Sequence, residues 1–296
     1  MDMAVAYAAL SGASFALIPL AYRLGRSASI NPMIVNMSMG VFGTIVFAVQ
    51  CRGECLHAPI RVWMAAVIAG GSQYLTARLI RVALGRGPVA SFWCTCSLGF
   101  LVVVGYAWAF LDEHIAAFQL AAVGCGIASV VVASFTIDHS PGVETRKGSR
   151  LAYGALLAAI LLLNGGMGMA VKDLSARAAA SGQNMLEAYR NLFFLVLYAV
   201  LGVLGAADVA WGGGLRASWK KILPVGLLAG IGSTMGMVLL ALAASHPAAV
   251  VFTINSTTAI LVAAVLLTVL FKERVTAAWC ATVLLSVLTL VLAQMN

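Results

Sequence analysis

The sequence predicts an all-α membrane protein whose helices cross the bilayer many times. Hydrophobic residues make up 62% of the 296 residues and charged residues only 9%, far below the roughly 25% of soluble domains. Apolar runs recur along the chain with the length of about 20 residues that a helix needs to cross a hydrocarbon core. So few charges would not cover a water-soluble surface, and we therefore expect the protein to act within the bilayer.

The hydropathy pattern predicts ten membrane-spanning helices joined by short connections. The predicted spans are residues 3–22, 32–51, 62–83, 88–111, 115–136, 151–171, 185–206, 222–244, 247–271 and 275–294. The first has no basic segment before it and is too long for the apolar part of a signal peptide, so we expect it to be a true span. The longest connection, 136–150, has the Pro, Gly and charged residues of a linker.

The positive charge of the chain predicts an orientation in the membrane. The 18 basic residues are spread over connections and helix ends rather than gathered in one stripe, so the net charge of +8 does not indicate a nucleic-acid partner. Thirteen of them follow odd-numbered spans, and five (Arg52, Arg61, Lys172, Arg177 and Arg190) lie on the opposite side. The positive-inside rule then places both termini outside the cytoplasm.

Two stretches of the chain repeat the same pattern. A proline, Pro88 or Pro247, opens a span in each half, about two dozen apolar residues follow, and a glutamate, Glu113 or Glu273, precedes a final span. A basic residue, Arg23 or Lys172, closes the first span of each half. The sequence thus predicts two five-helix repeats, 1–137 and 151–296, joined by the linker 138–150. An odd number of crossings inverts the second repeat, an arrangement typical of secondary transporters.

This repeated unit resembles the drug/metabolite transporter superfamily, specifically its ten-helix EamA-type members. The resemblance rests on Pro88 to Glu113 with Gln119 and Gly124, on Pro247 to Glu273, and on the basic residues Arg23 and Lys172, although Trp279 stands where a polar residue is usual. It covers essentially the whole chain. It implies transport of a small metabolite by alternating access across a cell membrane, in bacteria the inner membrane, by a monomer or homodimer. It also implies cytoplasmic termini, opposite to the charge distribution.

Uncharged polar side chains inside the predicted spans are the candidates for binding a solute. Asn and Gln are costly to bury and need partners, and the third, sixth and ninth spans each contain one. The alternative is that these side chains join helices, as Ser, Thr and Asn often do in membranes. The predicted substrate-binding residues are Gln73, Tyr74, Trp93, Asn164, Thr253 and Asn255.

Acidic residues are absent from the centres of the predicted spans. Glu113 and Glu273 lie near turns, where a carboxylate is expected to accept backbone N–H bonds at the start of the fifth and tenth helices; proton coupling is the alternative. Lys172 and Glu187 are the candidates for ion coupling, and a salt-bridge network of these two with Asp173 and Arg190 is the other interpretation. Without such a residue, facilitated diffusion or exchange is expected.

The remaining function classes fit less well. Four cysteines lie in apolar spans, and Cys51 and Cys55, which flank a connection, lack a second pair nearby, so we expect neither a metal site nor a cofactor. The histidines and aspartates lie near connections, which disfavours an intramembrane protease, and we expect no enzyme. The prediction is a transporter of a small neutral or zwitterionic solute. A lipid-carrier flippase, with Arg78 and Arg81 as its basic pocket, is the main alternative, and a channel is a further one.

Overall fold

The computed structural model describes residues 3–51, 58–84, 95–136, 150–176, 185–211, 219–271, 277–293 and 295. Every regular element in this part of the chain is a helix. The helices are α1 (Met3–Phe15), α2 (Leu17–Ser27), α3 (Pro32–Gln50), α4 (Ile60–Leu84), α5 (Phe100–Phe110), α6 (Ala117–Thr136), α7 (Arg150–Ala176), α8 (Met185–Trp211), α9 (Trp219–Ala243), α10 (Ala248–Phe271) and α11 (Ala277–Leu292).

Six helical segments among the described residues are long and apolar enough to cross a membrane. They are Met3–Gly25, Pro32–Gln50, Gly154–Ala176, Met185–Trp211, Trp219–Ala243 and Ala248–Phe271, and the shorter apolar helices are Thr95–Phe110, Ala117–Ser129 and Val283–Leu292. The prediction of an all-α, multi-pass membrane protein is therefore confirmed. Pro88, Trp93, Glu273 and Cys55, which carry parts of the sequence predictions, lie outside the described residues.

The first predicted span is divided at Ala16 into α1 and α2. Pro19 explains the division, because a proline has no N–H to donate to the carbonyl four residues earlier, that of Phe15, and its ring clashes with that carbonyl. The next helix starts as its sequence suggests: Asn31 accepts a hydrogen bond from the N–H of Met33 at 3.0 Å, and Pro32 occupies the first helical position.

Eight helical elements form a closed ring in which each packs against the next. The order is α1, α9, α3, α8, α4, α7, α5, α10 and back to α1; we call this arrangement the helix ring. Members of the ring come alternately from before and after the connection at 137–149. The two remaining long helices, α6 and α11, pack against each other and against α10.

The two largest hydrophobic clusters of the described residues hold the ring together. One is centred on α3 and α8, where Phe47, Phe193, Phe194 and Tyr198 are almost fully buried and the ring of Phe47 stacks on Tyr198. The other joins α1, α5, α6 and α10 around Phe100 and Phe252. Each cluster draws on both halves of the sequence, so neither half buries its apolar surface alone.

Candidate functional site

Gln73 lies at the centre of the protein-facing side of α4. Its neighbour Gly70 faces Leu197 of α8, whereas Ser72 lies beside Gly166 of α7. Since successive residues are about 100° apart around a helix, Gln73 projects between these two contacts, opposite the exposed Met64 and Leu75. The side chain is half-buried, and its Oε1 is buried without a hydrogen-bond partner. An unpaired acceptor that faces the ring interior suits the binding of a polar solute.

Asn255 projects into the ring interior from α10. Thr258 faces Gly12 of α1, and Phe252 faces Gly168 of α7, so the turn of the helix places Asn255 about midway between them. The residue is 9% exposed, and its Oδ1 is buried with no hydrogen-bond partner. The structure therefore brings one amide from each half of the chain to the interior of the ring.

The other predicted binding residue on α10, Thr253, faces the opposite way. Its methyl carbon and that of Thr289 in α11 each lie 3.7 Å from the position of a Cβ added at Gly126 in α6, and the residue is completely buried. This placement favours a packing role between α10 and the outer helices α6 and α11.

Asn164 joins two helices. Its Nδ2 donates a hydrogen bond to the carbonyl oxygen of Cys96 at 2.7 Å, just before the start of α5. The interhelical alternative considered for the three amides thus fits Asn164, because its donor is already used within the protein.

Tyr74 belongs to the packed interface between α4 and α8. The residue is 9% exposed and lies in the hydrophobic cluster around α8. Its hydroxyl is 3.5 Å from the carboxylate of Asp208. The structure therefore gives Tyr74 a role between helices rather than that of a wall of the ring interior, whereas the placement of Trp93 is not described.

Lys172, which is buried, and Glu113, which is 23% exposed, form an ion pair that sequence spacing did not reveal. The ammonium group of Lys172 contacts Glu113 Oε1 at 2.5 Å, the carbonyl of His246 at 2.7 Å and the carbonyl of Ala244 at 3.2 Å. These three acceptors match the three N–H donors of an ammonium group. Lys172 is only 1% exposed, so its charge is balanced entirely by protein groups.

The role predicted for Glu113 is right in kind but wrong in location. Its Oε2 accepts the backbone N–H of Ala248 at 2.7 Å, so it binds the start of α10 in the other half of the chain instead of the start of its own following helix, α6. There the side chain of Gln119 takes this place and accepts the N–H of Ala116 at 3.3 Å. A glutamine two or three residues into a helix commonly binds back in this way.

Acidic side chains near the ends of α7 and α8 each hold a neighbouring helix. Asp173 accepts a hydrogen bond from the Tyr106 hydroxyl at 2.6 Å and pairs with Arg61 at 3.4 Å. Asp208 pairs with Arg81 at 3.6 Å and with Arg78 at 4.0 Å. The two arginines proposed as a basic pocket thus share one carboxylate, while Glu187 is exposed in the first turn of α8.

Comparisons with known proteins bear on the fold alone. No protein-family model matches the sequence, and a search of curated proteins finds no match. Among solved structures, 26 chains match. One of them, described only as the crystal structure of a protein, is 14% identical, with a TM-score of 0.73 over 99% of this chain and 98% of its own. At this identity the similarity shows a shared fold.

Proposed function

We propose that this protein is a secondary transporter that moves a small polar metabolite across the membrane by alternating access. The observation that carries the proposal is the alternation of the helix ring, in which each helix packs between two helices of the other half. If α1–α2, α3, α4 and α5 are exchanged for α7, α8, α9 and α10, every neighbouring pair of the ring becomes another neighbouring pair. The outer pair α6 and α11 exchanges with itself.

This exchange symmetry supports ten spans in two inverted five-helix repeats. The symmetry matches the sequence repeat, which pairs Glu113 with Glu273 and Lys172 with Arg23. Inverted repeats have their substrate site at the repeat interface, and a transport cycle exchanges the two conformations of the repeats. In a ring built alternately from the two halves, every point of the interior lies at that interface.

The substrate proposed is a neutral or zwitterionic solute that carries hydrogen-bond donors. Gln73 Oε1 and Asn255 Oδ1 are buried acceptors without partners, and a buried polar group without a partner costs free energy that a bound donor recovers. Hydroxyl and amine groups, as in sugars or amino acids, supply such donors. The ionised phosphate group of a phosphate ester supplies only acceptors and requires cationic side chains, but Arg78 and Arg81 are paired with Asp208 and more than two-fifths exposed.

The test is transport by the purified protein in proteoliposomes, with a panel of sugars, amino acids, polyols, phosphate esters and a fluorescent lipid-linked substrate. We expect counterflow of one donor-rich neutral or zwitterionic solute that empty liposomes do not show. Movement of the lipid-linked substrate alone would favour the flippase, and current through single proteins without saturation would favour a channel. Transport restricted to phosphate esters would overturn the proposed substrate class.

A further inference from the structure

Lys172 contacts a part of the helix ring that does not neighbour its own helix. Lys172 lies near the end of α7, whereas its partners Ala244, His246 and, through Glu113, Ala248 lie at the turn from α9 to α10. In the ring, α5 separates α7 from α10. The two carbonyl contacts of Lys172 therefore reach across one end of the ring, and the ion pair attaches them to Glu113, which follows α5.

One ion-pair cluster at the opposite end of the ring joins helices that are ring neighbours. Arg78 and Arg81 of α4 pair with Asp208 of α8, and α4 and α8 are ring neighbours. The guanidinium of Arg23, the repeat counterpart of Lys172, lies 5.4 Å from the ring centre of Phe271 at the end of α10, while Glu273, the counterpart of Glu113, lies outside the described residues.

The two counterparts also differ in their exposure. Lys172 is 1% exposed, while Arg23 is an exposed residue. If the two repeats had the same conformation, these residues would have similar surroundings. A protein built from inverted repeats becomes open to one side only when the repeats differ, and the burial of Lys172 marks the end at which the repeats are drawn together.

From this geometry we infer that Lys172 and Glu113 are positioning residues of the transport cycle: their ion pair holds the ring closed at the end where α7 finishes and α10 starts, and it must separate for solute to enter or leave there. The inference rests on the proposed transport function for its role in a cycle. In this role the pair is a contact that closes the ring.

The experiment measures access to the ring interior directly. Val251 is 1% exposed and lies one turn before Asn255 on the same side of α10, so Val251→Cys in a variant without the native cysteines reports on the closed end. A membrane-impermeant thiol reagent is applied to vesicles of each orientation, defined by a protease-accessible tag. Lys172→Met, Glu113→Gln and the double variant are compared with the unchanged pair, and Lys172→Arg tests rescue by a retained charge.

We expect labelling from the Lys172 end to rise about tenfold in Lys172→Met and in the double variant, which corresponds to a loss of about 1.4 kcal/mol from the closed conformation alone. Lys172→Arg should restore protection. The matched control is Arg61→Met, which removes an ion pair at the same end between the neighbouring helices α4 and α7, and it should leave labelling unchanged.

If a single variant does not fold, the inference is tested on the double variant, which removes both charges and so leaves no unpaired ion. Unchanged labelling of the folded double variant, or an equal rise in Arg61→Met, would overturn the inference. Labelling and transport separate the two proposals. A shift in labelling without transport of any solute tested would count against the transporter but support the closing contact, whereas transport with unchanged labelling would do the reverse.

Discussion

The carboxylate of Glu113 accepts the backbone N–H of Ala248, a residue 135 positions further along the chain, at 2.7 Å. This hydrogen bond connects Glu113, the last residue of the repeated stretch Pro88–Glu113, to the start of α10 in the second half of the chain. The positive end of the α10 dipole and the ammonium of Lys172 both stabilise the same carboxylate. A duplicated glutamate thus serves to join the two halves.

The stability of the protein should depend on this ion pair more than on any exposed one. We expect Lys172→Met to lower the free energy of unfolding by up to about 3 to 5 kcal/mol, because it leaves the carboxylate of Glu113, which is 23% exposed, without its cation. The double variant Lys172→Met with Glu113→Gln should lose clearly less than the sum of the single changes. Denaturation of the four proteins in the same detergent gives this coupling, and additive losses would contradict the pairing.

The cluster around Asp208 should contribute little. Its partners Arg78 and Arg81 have side chains that are 59% and 43% exposed, and such exposed pairs are worth about 0 to 1 kcal/mol. We therefore expect Arg81→Met to lower the unfolding midpoint only slightly, while Tyr74 and Arg78 continue to hold the carboxylate. A loss of unfolding free energy as large as that of Lys172→Met would show that ion pairs also stabilise this end of the ring strongly.

Close approach of α3 and α8 gives a prediction with an internal control. A Cβ added at Gly40 would overlap the backbone of Gly202, so Gly40→Ala requires the two helices to separate, which costs about 1 to 3 kcal/mol. Gly71 of α4 has no atom within 4 Å of the corresponding position, and Gly71→Ala should keep stability or raise it by up to about 1 kcal/mol through helix propensity. Thermal unfolding of both variants compares them directly, and equal effects would mean that helix propensity, not packing, is being measured.

Much of the fold is predictable from sequence because each span is a continuous apolar stretch of the chain. The contacts that give the site its character are not local. No spacing rule connects Lys172 to Glu113, which are brought together only when α7 and the α9–α10 turn meet. Likewise, the sequence does not distinguish the three amides, because Gln73, Asn164 and Asn255 all lie in apolar spans. The rotation of each helix about its axis decides which amide faces the ring interior and which binds Cys96.

Orientation in the membrane is a separate prediction. The split of thirteen to five basic residues places the termini, and with them the closed Lys172 end, outside the cytoplasm. Fusions of a reporter active only in the cytoplasm, attached to the C-terminus and to the connection 137–149, should then be silent in the first position and active in the second. The opposite pattern would agree with the orientation implied by the family resemblance and would assign the closed end to the cytoplasmic side.

The most specific prediction about the site concerns Gln73, Asn164 and Asn255, because the structure gives Asn164 a hydrogen-bond partner and leaves the side-chain oxygens of the other two without one. Asn164→Ala removes an interhelical hydrogen bond and should lower stability by about 0.6 to 1.7 kcal/mol without changing the transport rate per folded molecule. Gln73→Ala and Asn255→Ala remove oxygens that have no partner within the protein, so stability should hold or rise. If those oxygens bind solute, each change should raise KM about tenfold, the cost of one hydrogen bond. Unfolding midpoints and counterflow kinetics on the same preparations separate these outcomes. The control is Thr253→Val, which alters a side chain on the side of α10 that faces α6 and α11, and it is expected to keep wild-type KM. Normal KM values for both Gln73→Ala and Asn255→Ala would remove the ring interior as the place where solute binds.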